Sequence, residues 1–323
     1  EMTSSLVGSE MCIRDRVNTM SVRVSNKQYK NFGNCVFLDN GLISLGVTVD
    51  LGPRIIYFAR RGKENVLFED VERRFTEPAG EYGSWVAYGG HRIWIAPEVN
   101  PETYYPDNAP VSCSIEGNRL ILTPPATPFG KEFTVIIEID DTAPVVKLTH
   151  RIKNVSESET EFAPWSVTSL SDGGVCMIPV NTAKRGYLPN RVISLWDYSD
   201  ICDSRFRMSN SMVRIRQDSF IRKAFKAGFN LEDGFAVYAV KEQIFAKCIS
   251  EYKDVCYPDF SCNFEVYTND LFLECEFLGE KRKFATGEEA VLCEKWCLLD
   301  NSNNAEPSDM MDNIGNRINE LIN

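Results

Sequence analysis

The densest concentration of chemistry-bearing side chains in the 323-residue chain is YGGHRIWIAPE, residues 88 to 98. Gly89 and Gly90 allow a close backbone approach, and His91, Arg92, Trp94 and Glu98 then supply an imidazole, a guanidinium, an indole and a carboxylate. Sugar sites use this mix, because a pyranose offers hydroxyls to charged groups and a C–H face to aromatic rings. In an extended strand His91 and Arg92 point to opposite faces, so both reach one pocket only if the glycines bend the strand. The other reading is a tight turn that enters a core strand.

A second constellation is LFLECEFLGE, residues 271 to 280. Strand alternation puts Leu271, Leu273, Cys275 and Phe277 on one face and Phe272, Glu274 and Glu276 on the other. Two carboxylates side by side repel, which raises one pKa and suits a general acid or base. A solvated strand face is the alternative. In VVKLTHRIKN, His150 falls in the apolar row with Val146, Leu148 and Ile152, and reads as a hydrogen-bonded core residue. Trp85, Trp94, Trp165, Trp196 and Trp296 are candidate sugar-stacking rings against a default of core packing. Arg54, after the Gly52-Pro53 turn, is either an inward cation or a strand-start charge.

The elements that must position these residues are short and strand-like. From Asn34 onward, apolar or alternating runs are broken by turns such as Asp39-Asn40-Gly41 and Gly62-Lys63. NFEVY and LFLECEF, joined by Thr268-Asn269-Asp270, predict a hairpin. Helical periodicity occurs only at the end, where Met311, Ile314, Ile318 and Leu321 share one face and Ser308 is a plausible N-cap. No linker or short repeat divides the chain, so the expectation is one mainly-β domain over residues 20–323, built from large antiparallel sheets packed face to face with a short C-terminal helix. Residues 1–19 are expected to be foreign to the fold: TSSLVGSEMCIRDR resembles a translated sequencing-adaptor stretch and lacks a signal-peptide pattern.

Composition limits the partners. Acidic residues number 46 against 35 basic ones, a net charge of −11, which repels phosphate backbones and argues against nucleic acid. No stretch approaches the roughly 20 apolar residues that span a bilayer. The eleven cysteines fall largely in apolar strands and read as reduced, buried thiols of a cytoplasmic protein. With two histidines and no C-x-x-C pair, no metal is expected. Walker, G-x-G-x-x-G and G-x-S-x-G motifs are absent, so no cofactor is expected either.

In their order along the chain, DLGPRIIYF, YGGHRIWIAPE, VVKLTHRIKNVSESETEFAPWSVTSL and FLECEFLGEKRKFATGEEAVLCEKWCLL resemble galactose mutarotase-like (aldose 1-epimerase-like) proteins, and among them an uncharacterised bacterial branch. The likeness covers most of residues 34 to 300, with Thr286-Gly287-Glu288 at the turn before the last strand. It implies a β-supersandwich with a sugar cleft on its concave sheet. In that family a glutamate takes the proton of the anomeric hydroxyl and a histidine protonates the ring oxygen. Matching by residue implies Glu274 as the base and Arg54 or Arg92 as the substrate-orienting arginine; Trp94, Trp165 and Glu276 are the further candidate sugar contacts. The sequence departs from the family after Asn154, where Trp165 stands in the segment that carries the acid histidine. His91 is then the candidate acid, reaching in from another strand. The implied ligand is a sugar or oligosaccharide. Two readings stay open: an anomer-interconverting enzyme, and a binding domain that has lost its acid.

Overall fold

The computed structural model describes residues 22–249, 254–302 and 311–322. The expectations for residues 1–19 and for Ser308 lie outside this set. Two large sheets dominate, and every ladder within them is antiparallel. The first contains, in spatial order, Arg23–Gln28, Asn34–Asp39, Ile43–Thr48, Ile55–Arg60, Gly90–Ala96, Thr160–Leu170, Leu273–Leu278, Phe264–Thr268, Phe225–Phe229 and Ile193–Leu195. At the centre of the second, Gln243–Ile249, Glu289–Asp300, Val145–Asn154 and Lys131–Ile139 lie side by side. The mainly-β sandwich expected from the sequence is the observed architecture.

Period-two alternation accounts for the packing. In Val145–Asn154 the row Val146, Leu148, His150 and Ile152 is buried, while Lys147 and Arg151 are exposed. Between the sheets, Leu45, Phe58, Val266, Cys275 and Phe277 of the first meet Ile137, Leu148, Ile178, Phe245 and Trp296 of the second. The predicted hairpin is present: Phe264–Thr268 pairs with Leu273–Leu278, and Asn269 Oδ1 closes the turn by accepting from the Leu271 and Phe272 amides.

The helix Met311–Ile322 lies over the outer face of the second sheet. Ile314 and Ile318 are buried there against Met177, Val237, Ile244 and Leu299, with Leu321 packed alongside. Each isoleucine contributes about 1.5–3 kcal/mol of apolar burial. The helix covers one patch of the second sheet's outer face, while Lys147 and Arg151 of the same sheet stay exposed; the site residues named from the sequence lie mostly on the outer face of the first sheet. Among the described residues no helix is long and apolar enough to cross a membrane.

Candidate functional site

Ladder register decides which side chains meet on that outer face. Residues directly opposite one another project to the same side. Arg92 lies opposite Val167, which lies opposite Glu276. Trp94 lies opposite Trp165, and Ser169 opposite Glu274. Arg92, Trp94, Trp165, Glu274 and Glu276 therefore share one face, as the sequence reading grouped them.

Their contacts form a connected polar and aromatic floor. Arg92 Nη2 reaches Glu274 Oε1 at 3.3 Å, and Ser169 Oγ donates to the same oxygen at 2.7 Å. The Arg92 guanidinium stacks on Trp85 at 5.0 Å and on Trp94 at 4.0 Å, a cation–π arrangement that fixes the fork. Trp94 and Trp165 pack with ring centroids 5.3 Å apart. Trp165 Nε1 donates to Glu276 Oε2 at 2.7 Å, so that indole is committed to positioning Glu276.

Sequence reasoning missed three members of this face. Lys226 Nζ bonds Glu265 Oε2 at 2.7 Å and Glu276 Oε2 at 3.0 Å, and lies 4.6 Å from the ring centres of both Trp165 and Trp196. Tyr267 lies in register between Glu274 and Lys226. The signal was the alternation in FEVYT and FKAGF, which sets Glu265, Tyr267 and Lys226 apart from their apolar neighbours. What the sequence does not give is that these two strands lie beside the Glu274 strand.

Burial raises the Glu274 carboxyl above its ordinary value; Arg92 opposes this and Glu276 adds to it. Burial would push the Lys226 ammonium down, but the two carboxylates more than offset that and hold it charged. One ammonium faces two carboxylates, and burial together with Glu276 raises the Glu265 carboxyl above its ordinary value while Lys226 opposes this.

Arg54 is buried and pairs with Asp107. It reaches the site through a pocket of about 160 Å³ whose walls include Arg54, Arg92, Trp94, Thr103, Tyr105 and Asp107. Glu274 is not in these walls; Arg92 is the link between pocket and carboxylate. Arg54 Nε and Nη2, Arg92 Nε and Nη1, and Asp107 Oδ1 are buried without a protein hydrogen-bond partner. Unused donors and an unused acceptor in one wall suit hydroxyl groups, which both accept and donate.

The structure does not bring His91 together with Glu274. Its ring faces the sandwich interior: Nδ1 lies 2.9 Å from Thr168 Oγ1, Nε2 lies 3.2 Å from His150 Nε2, and the ring meets Trp296 edge-on at 4.7 Å. The physical reason is the strand itself. Gly89 and Gly90 do not bend it toward the cleft; a Cβ at Gly90 would lie 2.1 Å from the Ile55 carbonyl oxygen, and one at Gly89 2.2 Å from that of Phe68. The glycines serve backbone-to-backbone approach, and His91 and Arg92 keep opposite faces. Burial first, then the neighbouring His150 and Lys247, lower the His91 pKa well below the usual imidazole range.

His91, His150 and Glu294 bring ligand-type atoms within 4.8 Å of one another. Glu294 is already engaged, accepting from Ser166 Oγ and from Trp296 Nε1 at 2.9 Å, and the Lys247 ammonium lies 3.6 Å away. A cation placed there would meet that ammonium in a dry interior. The trio fits a hydrogen-bonded core network better than a metal centre.

With this geometry in place, comparison with known proteins identifies the fold. No protein-family model and no curated protein matches the sequence. Among solved structures, a galactose mutarotase-like protein from Lactobacillus casei is 12% identical with a TM-score of 0.53, over 82% of this chain and 100% of that one. A galactose mutarotase related enzyme from Lactobacillus acidophilus is 11% identical with a TM-score of 0.53, over 83% and 98%. A TPR-domain containing protein from Parabacteroides distasonis is 14% identical with a TM-score of 0.58 over 85% of this chain, which spans only 49% of that protein. The chain thus has the galactose mutarotase-like fold.

Proposed function

We propose that the protein binds a sugar on the outer face of its first sheet and interconverts the sugar's anomers, with Glu274 as general base. The observation that carries this reading is the Glu274 carboxylate itself. It lies on the outer face of the first sheet, held by Arg92 and Ser169, and burial raises its pKa, which makes it a stronger base than an ordinary carboxylate. Trp94, stacked on the Arg92 guanidinium, lines the adjoining pocket, where the unpaired groups of Arg54, Arg92 and Asp107 are complementary to hydroxyls. Glu276, fixed by Trp165 and Lys226, has the role of a positioning group on this reading.

The second reading is sugar binding without catalysis. It is favoured by one observation: both histidines of the chain face the sandwich interior, so no imidazole stands beside Glu274. Exchange between α and β anomers, followed by NMR over a panel of free and phosphorylated hexoses, separates the two. Acceleration over buffer that is lost in Glu274→Gln supports the enzyme. Binding without acceleration leaves the sugar-binding protein.

A further inference from the structure

Opening a pyranose ring needs an acid as well as a base, because the ring oxygen must gain a proton while the anomeric hydroxyl loses one. Both oxygens are bonded to C1, so acid and base must be close neighbours. Resting on the anomer-interconverting reading above, we infer that the Tyr267 hydroxyl is the general acid that protonates the ring oxygen in this protein.

Register supports the choice. Ser169, Glu274, Tyr267 and Lys226 occupy one level across four adjacent strands and project to the same face. Directly opposed side chains start about 4.5–5.5 Å apart at Cβ, so Tyr267 is the lateral neighbour of the base. The other proton carriers around it are enclosed. Glu265 and Glu276 are 1% exposed and Lys226 5%, locked together as an ion triad, whereas Tyr267 is half-buried and open to a ligand. The Tyr267 hydroxyl accepts from Asn269 Nδ2 at 3.5 Å and, among the described residues, donates to none, so its proton is free to be given. Lys226 stands opposite Tyr267 on the next strand, with its ammonium held by Glu265 and Glu276. Burial, together with Glu274 and Glu276, raises the phenol to about 12, so it is protonated throughout the neutral range.

The step balances. Glu274 takes the O1 proton, the C1–O1 carbonyl forms, the C1–O5 bond breaks, and O5 takes the Tyr267 proton. After rotation about C1–C2, O5 returns its proton to the phenolate as it attacks C1, and Glu274 returns the other to O1. Nothing is consumed.

The test compares wild type, Glu274→Gln, Tyr267→Phe and Tyr198→Phe in the anomer-exchange assay. Melting temperatures and sugar affinities are measured in parallel. Tyr198 is the control because it is an exposed phenol near the same ion triad. Tyr267→Phe keeps the ring and loses only a long hydrogen bond, so fold and affinity are expected to persist while the rate falls at least ~10²-fold. Tyr198→Phe is expected to keep wild-type rate. The wild-type rate is also expected to show no loss from pH 7 to 9, since a phenol acid does not deprotonate there. An active Tyr267→Phe beside an inactive Glu274→Gln overturns the role of Tyr267 and leaves the base in place. A loss of rate in Tyr198→Phe but not in Tyr267→Phe overturns it equally. Wild type that never exceeds buffer overturns both this inference and the reading beneath it.

Discussion

His91 and Arg92 are adjacent in the chain and serve opposite sides of the sheet: the Arg92 guanidinium reaches Glu274 at 3.3 Å, while His91 Nε2 meets His150 Nε2 at 3.2 Å between the sheets. One strand thus supplies both the cleft and the polar network of the core. On the proposed function, the consequences of this division differ in kind, catalytic on one face and thermodynamic on the other.

On the core side, acid is expected to destabilise the fold. Burial lowers His150 from 6.5 to about 4, against Glu294, which favours its charged form, and with Lys247, which opposes it. His91 is lowered too, with Arg92 and Arg54 adding to the repulsion. A base whose folded pKa is depressed binds fewer protons folded than unfolded, so its stabilising contribution is complete above pH 6.5 and is lost as pH falls toward 4. For His150 that amounts to on the order of 3 kcal/mol. Urea denaturation at pH 7 and pH 4.5 checks this, with His150→Phe as comparison. A variant with the same pH slope as wild type would assign the effect to other groups.

Removing Lys226 should be costly in a way that a second change relieves. Lys226→Met leaves Glu265 and Glu276 buried together without their shared ammonium, an expected loss of about 3–5 kcal/mol. Glu265→Gln added to Lys226→Met removes the repulsion and is expected to restore much of that loss. Denaturant midpoints measure it; a double variant no more stable than Lys226→Met would contradict the shared-charge account.

Arg92 opposes the burial-driven rise of the Glu274 pKa. Arg92→Gln should therefore let that pKa rise further, so that the acidic limb of the pH–rate profile moves to higher pH. An unmoved limb would mean that Glu274 is not the group titrating in the profile.

The cysteines are expected to be thiols. All ten within the described residues are free, and even Cys176 and Cys275 are only in contact, at 3.7 Å between sulfurs. Thiol titration of the denatured, non-reduced protein should recover nearly all eleven. In the native state the exposed Cys202 and Cys256 should react first, since burial raises thiols such as Cys297 to about 12. Two or more disulfides would contradict this.

Much of this molecule was legible as alternation. The buried row of His150, the opposition of Glu274 and Glu276 to Leu273 and Cys275, and the helix face of Ile314 and Ile318 all follow from periodicity alone. Alternation also put His91 and Arg92 on different faces, and taking His91 as a cleft residue required a bend that the glycines do not make. What periodicity cannot supply is strand order. Lys226, Glu265 and Tyr267 join the site only because Phe225–Phe229 and Phe264–Thr268 lie next in the sheet to Leu273–Leu278, a pairing in which Lys226 and Glu276 stand 50 residues apart. Arg54 likewise gains its place from Asp107, 53 residues away.

The central claim is that Glu274 is the base of an anomer-interconverting site, and NMR exchange spectroscopy on wild type and Glu274→Gln addresses it most directly. The amide keeps the shape and still hydrogen-bonds hydroxyls, so sugar affinity should survive. The account predicts wild-type exchange above buffer for at least one hexose and a fall of at least ~10²-fold in Glu274→Gln. Wild-type exchange retained in Glu274→Gln, or no exchange above buffer for any sugar that binds, would contradict it.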